Sequence, residues 1–122
     1  VNMGGHVEIA DFAILGGMAA IHQFVHIGAH CMVGGLFRVS KDVPPFILAG
    51  GHPLKYEGLN VVGLRRRDFT NDAIKALKDA YRLIYQSDLL RNQALEKIEE
   101  DIRHPEVKAV VDFYRNSQRG VI

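Results

Sequence analysis

The sequence predicts a mainly β solenoid with an α tail: a left-handed parallel β-helix of hexapeptide repeats followed by a small C-terminal helical bundle. Three observations carry that expectation. Apolar residues recur at every sixth position, Met3, Ile9, Leu15, Ile21, Ile27, Val33 and Val39, and the spacing never slips. The position after each is mostly small (Gly4, Ala10, Gly16, His22, Gly28, Gly34, Ser40), and a second inward column runs through Val7, Ala13, Ala19, Val25, Cys31, Phe37 and Val43. From Asp68 onward the apolar spacing changes to threes and fours, the mark of amphipathic helices. A helix of 3.6 residues per turn cannot hold a strict period of six, and a strict short repeat is the signature of a stacked solenoid. Three hexapeptides close one triangular coil, with each lead residue in the core and each small residue easing a corner.

The elements follow in order. Residues 1–45 read as the end of the β-helix. The repeat covers only a little over two coils, fewer than solenoids usually stack, so further coils are expected upstream of Val1. Pro44-Pro45 closes the solenoid, because proline cannot donate to a strand ladder. Residues 46–67 read as an irregular crossing segment with turn points at Gly50-Gly51, Pro53, Gly58 and Gly63; 60–64 is expected as a short strand within it, and the segment folds back over the outer wall. Residues 68–122 read as a three-helix unit. Thr70 caps the first helix, with Asp72 in its first turn, and Ile74, Leu77, Ala80, Tyr81, Ile84 and Tyr85 form its apolar stripe, ending near Gln86–Asp88. A second helix runs about Asn92–Ile102. Pro105 opens a third, with Val107, Val110, Val111 and Tyr114 inward and Gly120 at its end.

Composition narrows the function. The 122 residues carry a net charge of +1, so no global field favours nucleic acid or a membrane surface. No stretch is long and apolar enough to span a bilayer. The lone Cys31 lies in the inward column, as a small core filler in a reducing compartment, which points to the cytoplasm. Residues 52–91 are locally basic, with Lys55, Arg65, Arg66, Arg67, Lys75, Lys78, Arg82 and Arg91, a surface for an acidic partner at one face or a solvated helix face laced with i,i+4 pairs.

The histidines are the candidates for chemistry: His6, His22, His26, His30, His52 and His104. His22 occupies a place that normally holds a small residue, and its side chain projects outward. His6 lies sixteen positions earlier, on the adjacent coil and near the same wall. Two outward imidazoles on one wall suit a phosphorylated sugar, a proton relay or a metal; His26 and His30 read equally as surface histidines. Arg65-Arg66-Arg67 is a weak feature by itself, with guanidinium forks that suit phosphate, and Asn60 places an amide near the same loop.

The runs "GHVEIADFAILGGMAAIHQFVHIGAHCMVGG", "KDVPPFI", "GLNVVGLRRRDF", "AYRLIY", "HPEVKAVVDFY" and "RG" resemble, in order and over the whole chain, the C-terminal half of the UDP-N-acetylglucosamine O-acyltransferases of lipid A biosynthesis. The resemblance implies a homotrimer with active sites between the β-helices of neighbouring subunits. It implies transfer of a 3-hydroxyacyl chain from acyl carrier protein to the 3-hydroxyl of UDP-N-acetylglucosamine, without cofactor or metal. A histidine serves as general base on that hydroxyl, which attacks the thioester. Matched by motif, His6 resembles a second histidine that contacts the sugar near the base, and Gly17 the position whose amide faces the thioester carbonyl. His22 and Gln23 resemble nucleotide-sugar and acyl-pocket contacts, and Asn60 an amide that touches the nucleotide. Arg66 and Arg67 resemble the diphosphate and uridine contacts. Gly35 sits where the family's acyl ruler ends, and its missing side chain implies room for a longer chain. Lys78 and Arg82 resemble the patch that meets the carrier protein.

Two features depart from the pattern. The family's general base is expected about one coil before His6, outside these residues, so no base is assigned here and the chain alone is expected to be inactive. Val62 stands where the family often has an acidic nucleotide contact. Other readings are a different hexapeptide sugar acyltransferase, a hexapeptide-type zinc hydratase using His22, His26 and His30, or a non-catalytic trimerising scaffold. Intervals of four on a period of six do not turn those three histidines the same way.

Overall fold

A computed structural model describes the chain except for Val1, Met18, Ala19, Leu36, Phe37, His52 and the side chain of Asn2. Two members of the predicted inward column, Ala19 and Phe37, thus lie outside the described residues, as does His52.

Seven two-residue strands recur at intervals of six: β1 (Asn2–Met3), β2 (Glu8–Ile9), β3 (Ile14–Leu15), β4 (Ala20–Ile21), β5 (His26–Ile27), β6 (Met32–Val33) and β7 (Arg38–Val39). β1 to β4 each pair in parallel with the strand three places on. Met3 faces Ile21, Ile21 faces Val39, Ile9 faces Ile27, and Leu15 faces Val33. Three walls result, β1-β4-β7, β2-β5 and β3-β6, which is the triangular prism the repeat predicts. The lead residues of the upper coil, Ile21, Ile27, Val33 and Val39, are buried, as are Val25 and Cys31. Met3 and Ile9 remain exposed, because no coil covers them among the described residues.

The corners share one backbone device. His6, Phe12, Phe24, His30 and Phe46 all have φ between 57° and 72°, a left-handed conformation that non-glycine residues adopt only against a steric cost. It turns the chain sharply and throws each ring outward, so corner rings of successive coils stack.

Past Val39 the structure departs from the simple repeat. Ile27 bridges to Val43, and Met32 and Val33 pair with Leu48 and Ala49. The last coil is therefore two residues shorter than the others. Val43 takes the lead place rather than the second inward place, and it stays buried. Pro44-Pro45 does not close the solenoid. β8 (Ile47–Gly50) continues the third wall, and β9 (Lys55–Leu59) pairs antiparallel to it. The expected crossing segment thus begins as wall. The proline pair sits at a corner, where no ladder donor is needed.

Residues 60–64 are also not a strand. α1 (Val61–Arg66) starts there, with Asn60 as its cap and Leu64 buried beneath it. The tail contains three further helices: α2 (Asn71–Tyr85), α3 (Arg91–Asp101) and α4 (Pro105–Asn116). Thr70 Oγ1 accepts from Ala73 N at 3.1 Å, the expected cap. Tyr81, fully buried, fastens α2 to the prism by donating its hydroxyl to Pro45 O at 2.5 Å. The last helix ends at Asn116, not Gly120. Residues beyond it return to the prism: Val121 bridges to Asp42, whose N donates to Gly120 O at 2.8 Å.

Candidate functional site

The loop and α1 build a cleft of about 440 Å³ against one edge of the prism, lined by Phe12, His30, Asn60, Gly63, Arg66 and Arg67. This edge separates the wall of β2-β5 from that of β3-β6-β8. Asn60 is its keystone. Its backbone N donates to Phe46 O at 2.8 Å, its Nδ2 to His30 O at 3.0 Å, and its Oδ1 accepts from Gly63 N at 3.3 Å. The amide is thus first a structural clamp between helix and corner, with one N–H and one lone-pair direction left over. α1 carries Arg65 and Arg66 in its last turn and ends on Arg67. Consecutive helical residues splay by about 100°, yet Arg66 and Arg67 both line the cleft. The Arg67 guanidinium lies 3.8 Å over the Phe12 ring. His30 stacks on Phe12 at 5.0 Å and on Phe46 at 5.8 Å, with Phe69 edge-on at 4.9 Å. Burial and the nearby Arg67 charge hold the His30 imidazole below its ordinary pKa, only partly offset by Asp11. The edge is therefore cationic through arginine while its histidine favours the neutral form.

The other sequence-predicted residues lie elsewhere. His6, His22 and Gln23 gather at the edge between the β1-β4-β7 and β2-β5 walls. His6 stacks face to face on Phe24, with centroids 5.2 Å apart. His22, two residues before Phe24, is exposed, and its Nδ1 lies 3.5 Å from Arg119 Nη2. Arg119 also donates from Nε to Ser40 O at 2.5 Å. Arginine has no acceptor, so in a hydrogen bond between these two groups Nδ1 of His22 is the acceptor. Gly17 and Gly35 lie beside the third edge, one coil apart. A Cβ at Gly35 would stand 2.6 Å from Gly17 O, whereas one at Gly17 meets nothing within 4 Å. Close coil packing therefore demands glycine at position 35 whatever the acyl chain. Lys78 and Arg82 line a shallow depression on α2 with Tyr56, Leu59, Val61 and Gln86, and Arg82 reaches Asp79 at 3.7 Å.

His22, His26 and His30, the three histidines of the zinc alternative, are dispersed. His22 meets Arg119, His26 Nδ1 lies 3.4 Å from Glu8 on the second wall, and His30 is stacked at the next edge. Cys31 is buried, its thiol pushed up to about 12 by desolvation, which suits a core filler rather than a nucleophile. Sequence reasoning missed Phe12 and Arg119. Phe12 had a signal, since His6, Phe12, Phe24 and His30 occupy the same place in their hexapeptides. Arg119 had none, because nothing local ties it to His22.

The family described as UDP N-acetylglucosamine O-acyltransferase, domain 2, matches residues 42–122. The chain belongs to this family. An acyl-[acyl-carrier-protein]–UDP-N-acetylglucosamine O-acyltransferase of Burkholderia mallei (strain SAVP1) is 48% identical over 99% of this chain and 48% of its own length. A relative of the same description from Burkholderia orbicola (strain MC0-3) is 49% identical over the same shares. Among solved structures, LpxA, a UDP-N-acetylglucosamine acyltransferase from Bacteroides fragilis 9343, superposes with a TM-score of 0.94 at 43% identity, covering 99% of this chain and 50% of that one. LpxA from Acinetobacter baumannii superposes at 0.93 with 38% identity, over 98% of this chain and 47% of that one. The chain spans about half the length of the curated relatives it matches.

Among the described residues, no helix is long and apolar enough to cross a membrane. The geometry sorts the sequence-predicted residues by edge. It brings Asn60, Arg66 and Arg67 into one cleft and leaves His6, His22, Gln23, Gly17 and Gly35 on two other edges.

Proposed function

We propose that the chain is the nucleotide-holding part of an acyltransferase that moves a 3-hydroxyacyl chain from acyl carrier protein to the 3-hydroxyl of UDP-N-acetylglucosamine, the first step of lipid A synthesis, in the cytoplasm. The observation that carries this reading is the cleft, where Arg66 and Arg67 line the same space as the buried Asn60. Guanidinium forks match phosphate oxygens two at a time, and a nucleoside diphosphate sugar is the substrate the relatives' descriptions name. The acidic family contact has no counterpart at the exposed Val62, so the arginines carry more of the recognition.

Three edges of one prism cannot meet at a point. About six residues of extended chain, some 20 Å, separate adjacent edges. The histidine edge, the glycine edge and the arginine edge converge only if neighbouring copies abut, so the reading includes a homotrimer with sites between subunits. The third wall supports it, since Ile14, Met32 and Leu48 stand in register as an outward apolar row and the first two are exposed. Such a row is suited to burial against another copy. In the same reading the solenoid is left-handed and closed by a packed helical tail.

The chemistry asks little of the protein. A thioester is already activated, so positioning, one base and an oxyanion donor suffice. The base removes the proton of the sugar 3-hydroxyl, the oxygen adds to the thioester carbonyl, and the carrier's thiolate leaves. His6 assists beside the base, the amide of Gly17 faces the developing oxyanion, and His22 and Gln23 contact substrate. Gly35 bounds the acyl pocket, and Lys78 and Arg82 meet the acidic carrier protein. No described histidine is assigned as the base. Calorimetry with UDP-N-acetylglucosamine should show saturable binding, while a transferase assay of the 122-residue chain alone should show no turnover. Absence of nucleotide-sugar binding would refute the reading.

A further inference from the structure

Arg67 makes no ion pair and no side-chain hydrogen bond among the described residues. Its described contact is the face of Phe12, 3.8 Å below the guanidinium carbon. The Phe12 ring also stacks on His30 at 5.0 Å, His30 stacks on Phe46 at 5.8 Å, and Phe69 lies edge-on to His30 and Phe46. The stack is four deep, from Arg67 through Phe12 and His30 to Phe46. Its geometry matters because guanidinium N–H bonds lie in the plane of the group. A cation stacked on a ring face keeps all five donors free at its rim, whereas an ion pair would consume two. Stacking also removes the rotamer freedom that a long side chain must otherwise lose when it binds.

We propose that Phe12 is a positioning residue for anion recognition: its ring holds the Arg67 guanidinium flat over the cleft so that the donor rim is presented, pre-oriented, to the diphosphate of a nucleotide. This rests on the nucleotide reading above. The stacked corner has a function beyond turning the chain, since the left-handed conformation at Phe12 (φ 61°) places the platform at the cleft mouth. Phe12 touches neither base nor sugar in this account; it acts through Arg67.

The test is calorimetric titration of UDP, uridine and inorganic pyrophosphate into the native chain, F12L, F12Y, R67A and the F12L/R67A double variant. Leucine keeps apolar bulk at a half-exposed site and removes the ring face, and thermal unfolding checks that each variant folds. F12L should bind UDP and pyrophosphate roughly three- to thirtyfold more weakly, the range a cation–π contact spans. Uridine binding should not change, and F12Y should restore native affinity to within about twofold. In the R67A background, F12L should cost nothing further, because the group it positions is gone. Native-like UDP affinity in F12L overturns the inference and leaves the nucleotide reading intact. Equal weakening of uridine and UDP, or additive losses in the double variant, also overturns it. A native chain that binds neither UDP nor pyrophosphate overturns the nucleotide reading, and this inference with it.

Discussion

The arginine edge and the histidine edge of the prism use the same corner geometry, yet they are finished differently. At the arginine edge, α1 and its cap fold over the corner, Asn60 ties helix to coil, and three rings stack in series with the Arg67 guanidinium over the first. At the histidine edge, His6 and Phe24 stack in the open, and the only described cover near His22 is the returning tail through Arg119. On the proposed reading, the difference teaches that one chain completes half of a site: the arginine half is tied down by Asn60 and the ring stack, and the histidine half presents outward side chains to a neighbouring copy.

The sharpest way to break the comparison is to release the tail. Asp42 is buried, accepts from His26 N at 2.8 Å and from Ser117 Oγ at 2.5 Å, and bridges to Val121. D42A should cost about 3 kcal/mol in urea unfolding, because two charge-assisted bonds are lost and the His26 N–H is left without its partner. UDP binding at the other edge should survive in the folded fraction. Loss of UDP binding in the folded variant would show that the two edges are not independent.

The third edge offers a smaller, differential test. G35A should destabilise by about 1–3 kcal/mol, since its Cβ would press on Gly17 O at 2.6 Å. G17A, with open space, should stay within about 0.5 kcal/mol. Equal effects in thermal unfolding would remove the packing reason for the glycine. The smallest effect sharpens the arginine edge. The folded-state pKa of His30 lies below its ordinary 6.5, so unfolding takes up a proton in the window just under that value. Its contribution to stability is present above pH 6.5 and fades as pH falls toward the folded-state pKa. H30F should flatten that part of the stability–pH curve, and an unchanged slope would mean that His30 titrates as if unfolded.

Much of this was legible in the sequence, for a physical reason. From Met3 to Val39 the period does not slip, so that column reads directly as coils. The shortened coil does not, because Val43 is apolar and inward in either register. Residues 60–64 read as a strand because Val61-Val62 favours β structure locally. Asn60, capping Gly63 and bound to His30 thirty residues away, decides for a helix. The arginine triplet was visible, but its convergence with Phe12 depends on a loop that crosses the edge. Arg119 at His22 spans ninety-seven positions, and no local pattern encodes that.

The measurement that tests the divided site most directly is parallel titration of UDP and UDP-N-acetylglucosamine into native, R67A and H6A protein. The account predicts that R67A weakens both ligands by about tenfold or more, the worth of one charge-assisted contact. It predicts that H6A leaves UDP untouched and weakens the sugar nucleotide only where copies have assembled. If H6A weakened UDP as much as R67A does, or if R67A weakened neither, the division of the site between the two edges would be contradicted.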